Sequence, residues 1–113
     1  MKKVINLQLC RGKTLTIVCL NDSAEIEIWA DKNGIDIGDK VEFDGLFAKF
    51  GDNFNIVIHK NTSHGNIAHE CTHFLNTFYK SINQQLDTDN DELYCHILGY
   101  FVDEIIELQD RFS

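Results

Sequence analysis

The sequence predicts an α+β domain in which an N-terminal antiparallel β-sheet is followed by two helices. Three observations carry this. Over about residues 1–60, apolar side chains alternate with polar ones between turn signals, the pattern of half-buried strands. Near residue 63 the apolar spacing changes to three and four, the pattern of a helix, and a second such stretch follows. The 113 residues suffice for one modest core, so 1–113 reads as a single domain.

Within the first half, Val4, Ile5, Leu7 and Leu9 alternate with polar residues, Arg11-Gly12-Lys13 turns the chain, and TLTIVCL at 14–20 returns. AEIEIWA at 24–30 has period two, with Ile26 and Ile28 on one face and Glu25, Glu27 and Trp29 on the other. It reads as a third strand, closed by the turn DKNG, whose Asn-Gly tolerates positive φ. Residues 35–44 read as a loop or a short edge strand. GLFAKF and FNIVIHK flank Gly51-Asp52-Asn53 as a second hairpin.

In the second half, a helix is expected over 63–80. Ile67, Cys71, Phe74, Leu75 and Phe78 form its apolar stripe. At about 100° per residue, His69 and His73 fall within about 40° of each other on the opposite side, with Glu70 on the rim. The polar stretch SINQQLDTDND leads to a second helix over 89–111. Leu93, Tyr94, Ile97, Leu98, Phe101, Ile105 and Leu108 form its apolar side, and Glu92, His96, Gly99 and Asp103 the other.

Eighteen acidic against ten basic residues give a formal charge of -8. A phosphate-backbone binder normally carries a basic patch, so no nucleic-acid partner is expected. The same charge would suit docking on a basic partner, or mimicry of nucleic acid. Cys10, Cys19, Cys71 and Cys95 form no C-x-x-C pair and read as free, mostly buried thiols of a reducing cytoplasm, with Cys10 and Cys19 facing each other across the first hairpin. MKKVINLQLC alternates rather than running apolar, and no stretch reaches the length of a membrane span, so a cytoplasmic protein without membrane contact is expected.

The chemistry concentrates in His69-Glu70-Cys71-Thr72-His73. Two imidazoles at i and i+4 can hold one Zn2+ without bending the helix, and a glutamate beside the first can take a proton from water activated there. Catalytic zinc needs a third protein ligand and one open position. Eighteen residues after His73 comes Glu92, giving H-E-x-x-H-x18-E. Glu92 also fits a capping box with Asp89, and a place in the first turn that the helix dipole favours. His96, one turn on, is placed to replace Glu92 as ligand, to hydrogen-bond to it, or simply to face solvent. Asp91 suits capping, Cys71 faces the core, and Cys95 lies at the edge of the Glu92 face. His59, ending its strand, and His64, entering the helix, are candidates for holding substrate or an oxyanion. Tyr79, Tyr94 and Tyr100 are candidate donors to a transition state.

At these residues the chain resembles the gluzincin branch of the zincin metallopeptidases. GNIAHECTHFLNTFY followed by DNDELYCHILGYFVDEI looks most like small zincin-like proteins encoded by phages and prophages, over about residues 53–106. The resemblance implies a zincin-like fold with an active-site helix and a C-terminal helix. It implies His69, His73 and Glu92 as zinc ligands and Glu70 as catalytic base of a metallopeptidase. It also implies a peptide or protein substrate added as a strand along residues 54–59, and, for a phage protein, the host cytoplasm. Larger gluzincins add a subdomain that completes the cleft, which 113 residues cannot supply. The alternative is a catalytically weak or inactive zincin-fold module that binds or inhibits a partner through its acidic surface.

Overall fold

Alternation at the start of the chain produces the strand pair it predicts. β1 (Lys3–Gln8) and β2 (Thr14–Leu20) are antiparallel, with Val4 opposite Val18 and Leu7 opposite Leu15. A short 3₁₀ turn, Cys10–Gly12, joins them, with Arg11 and Gly12 at positive φ. The structure, a computed structural model, describes residues 3–36, 44–85, 87, 89 and 91–112. Most of the uncertain stretch 35–44 therefore lies outside the described residues.

The expected third strand is instead a helix, α1 (Ser23–Lys32). Asp22 caps it, its carboxylate accepting from Glu25 N–H at 3.0 Å. Glu25 in turn accepts from Asn21, the backward reach of a capping box displaced by one residue. Ile26 and Ala30, four apart, are buried while Ile28 is exposed. A run as short as Ile-x-Ile fits either period, and the cap decides between them.

That helix makes the sheet mixed rather than antiparallel. β3 (Gly45–Phe50) and β4 (Asn53–His59) form the expected hairpin across Gly51, whose φ is 60°. The strand order is β1-β2-β4-β3, and β2 runs parallel to β4 with Ile17 opposite Ile56 and Cys19 opposite Ile58. Parallel neighbours need a crossover, which the segment containing α1 supplies. β4 is thus an interior strand, buried from Phe54 to His59. Of residues 54–59, expected to receive an added peptide strand, 54–58 are already paired along both sides and His59 along one. Among the described strands, the open edges belong to β1 and β3.

Each face of the sheet is covered. Val18, Leu20 and Val57 pack on Ile26 of α1. Leu15, Ile17, Cys19, Phe54, Ile56 and Ile58 pack on the other side under α2 (His64–Ser81) and α3 (Glu92–Asp110). Phe54 sits at the centre of that larger core, 5.5 Å from Phe74 and 5.8 Å from Phe78 between ring centroids, both edge-on. Phe101 of α3 meets Phe74 edge-on at 5.3 Å. Edge-to-face packing brings positive ring edges to negative ring faces, which favours this cluster beyond its buried area.

α3 begins later than the capping-box reading requires. Asp91 precedes the first turn without a side-chain cap bond, and Glu92 is the first helical residue. Near the other end, buried Gln109 donates to the carbonyls of His59 and Thr62 at 3.1 and 2.7 Å, tying α3 to the turn that leads into α2. All four cysteines are free. Cys19 and Cys71 are buried, whereas Cys10 and Cys95 are exposed. Cys19 sits opposite Lys3, so it does not face Cys10. No helix among the described residues is long and apolar enough to cross a membrane.

Candidate metal centre

Ser63 starts α2 by accepting from Asn66 N–H at 3.1 Å, and from that start every position on the helix is determined. Ile67, Cys71, Phe74 and Leu75 turn into the core. His69 and His73 therefore turn outward, and both are exposed. Their Nε2 atoms lie 3.1 Å apart, with ring centroids 4.6 Å apart and planes at 83°. At that separation one Nε2–H can donate to the other ring, or both lone pairs can converge on one cation. Two imidazoles on a tetrahedral zinc, with bonds of about 2.0–2.1 Å, have their nitrogens about 3.3 Å apart. The observed separation is within a few tenths of an ångström of that value.

Glu70 projects from an adjacent side of the helix and is buried, at 8% exposure. It lies under the first residue of edge strand β3. A Cβ on Gly45 would come within 3.1 Å of Glu70 Cγ. Cys71, inside the motif, belongs to the core; burial, aided by the Glu70 charge, pushes its thiol up to about 12.

The third expected ligand lies elsewhere. Glu92 Oε1 pairs with His96 Nε2 at 3.0 Å on the exposed side of α3. The contacts of α3 with α2 set its level: Tyr94 O–H donates to Asn76 at 2.5 Å, and the Tyr94 ring meets Tyr79 edge-on. Glu92, two residues before Tyr94, is thus level with the C-terminal turns of α2 and beyond His73. Among the described residues, no three His, Cys, Asp or Glu side chains are grouped to hold a metal ion. The fold brings His69 and His73 together, sets Glu70 beside them, and holds Glu92 with His96 as a separate pair.

His59 is committed within the fold. It is 8% exposed. Its Nδ1 accepts from Asn61 N–H at 3.1 Å, so Nε2 carries the proton and donates to Asp44 at 3.0 Å. No ring nitrogen is left for a substrate. Asp44 also accepts from Asn66 at 2.5 Å, and its backbone carbonyl accepts from Thr62. Burial works to raise the Asp44 carboxyl, but hydrogen bonds from Asn66 and His59 outweigh it and hold it below its usual value. Sequence reasoning did not single out Asp44 or Gly45, since both acquire roles only through residues 15 or more positions away. Tyr100 is 57% exposed on α3, its ring against Phe101. His64 is exposed at the start of α2.

The fold is that of a small α+β domain, with a four-stranded mixed sheet and three α-helices among the described residues. Among known proteins no family model, no curated protein and no solved structure matches the chain.

Proposed function

We propose that the chain is a zinc-dependent hydrolase of zincin-like, gluzincin type, most simply a metallopeptidase, in which His69 and His73 hold the ion and Glu92 completes the set. The observation that supports this reading is the pair of exposed Nε2 atoms 3.1 Å apart, with Glu70 on the next side of the same helix. Bound there, zinc supplies Lewis acidity, polarising a carbonyl and lowering the pKa of a water. Glu70 takes a proton from the attacking water and returns it to the leaving amine nitrogen, a task a carboxylate can perform once the water is acidified.

The reading requires the first turn of α3 to carry Glu92 toward α2. Its bond to His96 is an exposed i,i+4 pair, and exposed pairs of this kind contribute little stability, so it opposes that movement weakly. His96 then supports Glu92 by hydrogen bond or takes its place. The substrate segment is an extended peptide, and the edge that suits it is β3, whose first residue overlies Glu70.

Elemental analysis of purified protein tests the ion. One zinc per chain is expected in the wild type and none in His73→Ala; negligible zinc in both ends the proposal. Glu70→Gln is expected to keep the zinc while losing hydrolysis. An effect on a partner that persists undiminished in Glu70→Gln would instead favour the acidic binding module.

A further inference from the structure

Beyond His73 the exposed side of α2 continues through Asn76 and Lys80 into a groove of about 360 Å³ between the end of α2 and the start of α3. Its walls are Asn76, Tyr79, Lys80, Tyr94 and the amides of residues 83–85. The far wall is built by the helix end. Asn83 takes φ 58°, a left-handed conformation that asparagine tolerates better than most residues, and Gln84 N–H reaches back to Tyr79 O at 2.9 Å. The near wall is oriented as well. Tyr94 is buried, and burial raises its pKa, so its hydroxyl keeps the proton it donates to Asn76 Oδ1. That bond engages one of the two lone pairs of Asn76 Oδ1 and orients the amide, whose Nδ2 can donate to a ligand.

The chemistry of the walls narrows the ligand. Among the described residues they carry amide groups and two tyrosine rings but no carboxylate, in a chain with 18 acidic residues. Among the described lining residues Lys80 is the one charge, while Asp87, Asp89, Asp91 and Glu92 follow closely in the chain and disfavour an anion. The amides of Asn76, Asn83, Gln84 and Gln85 match a neutral planar group that both donates and accepts. We propose that this groove is a recognition subsite for the carboxamide side chain of an asparagine or glutamine in a peptide ligand, with Asn76 Nδ2 as the selecting donor. The word subsite rests on the hydrolase reading, because the groove continues the histidine face; the binding itself does not.

The test is a two-dimensional NMR titration of the zinc-free and zinc-loaded chain with N-acetyl-glutamine N-methylamide and its glutamate counterpart. Saturable shifts at Asn76 and residues 83–85 are expected for the glutamine probe, with weaker binding of the glutamate probe. Asn76→Ala, at an exposed position, is expected to weaken the glutamine probe about tenfold, as loss of a well-placed donor does. Tyr94→Phe keeps the ring but frees the Asn76 amide to turn, and is expected to weaken the same probe. No saturable shift, equal binding of both probes, or indifference to Asn76→Ala overturns the proposal. Failure of the hydrolase reading would appear as missing zinc and leave these titrations unchanged.

Discussion

A Cβ built on Gly45 would lie 3.1 Å from Cγ of Glu70 and 3.4 Å from its Oε2. The edge strand thus passes so close over the motif glutamate that a methyl group there would require Glu70 to give way by a few tenths of an ångström. Gly45→Ala is expected to cost about 1 kcal/mol of stability, as mild overpacking does. The penalty should disappear in a Glu70→Ala background, where Cγ is gone. Urea midpoints of the four proteins measure this coupling, and an equal penalty in both backgrounds would show that another contact is responsible.

The hydrogen bonds that Asp44 accepts from Asn66 and His59 make stability depend on acid. The Asp44 carboxyl sits below its ordinary value of 3.8, so the charged form is favoured by folding. Its contribution is present above about pH 4 and fades as pH falls through the lower folded value. At neutral pH Asp44→Asn is expected to melt below the wild type, and the gap should narrow steadily below about pH 4. A gap independent of pH would rule out the charge as its source.

Glu92 and His96 can be separated by their effect on metal. With Glu92 as ligand, Glu92→Ala loses stoichiometric zinc and His96→Ala retains it with weakened affinity. The reverse outcome assigns the third position to His96. Zinc titrations followed by competition with a chelator distinguish them.

Thiol chemistry should divide the cysteines two and two. Burial pushes Cys71 up to about 12 and, with a partial offset from Lys3, Cys19 up to about 11. The thiolate is the reactive form, and neither buried group supplies it at neutral pH. A disulfide reagent is therefore expected to titrate Cys10 and Cys95 in the native protein and all four in denaturant. Fast reaction of a third thiol would contradict the packing of α2.

Core truncation should be severe at one ring in particular. Phe54 touches Phe47, Phe74 and Phe78 from an interior strand. Phe54→Ala is expected to cost about 3–5 kcal/mol, a large part of the stability of a domain this size. Leu93→Ala, at an exposed position, should shift the urea midpoint hardly at all.

The two C-terminal helices and the outward pair of histidines were legible because helical periodicity is local: Ile67 to Phe78 dictates which side faces the core, and His69 and His73 must take the other. Both hairpins were legible for the same reason. The error at AEIEIWA also has a local cause, since Asp22 and Glu25 carried the capping signal and five alternating residues cannot separate two periods.

What the chain determined by itself was the sequence of turns, the sidedness of α2 and α3, and the pairing of two imidazoles one helical turn apart. Only the tertiary structure decided that β4 lies inside the sheet, that Glu70 is covered by Gly45, that His59 is consumed by Asp44 and Asn61, and that Glu92 pairs with His96. The physical reason is distance along the chain. Periodicity and capping act over three or four residues, whereas strand order and the level at which two helices cross are set by how whole faces bury against one another.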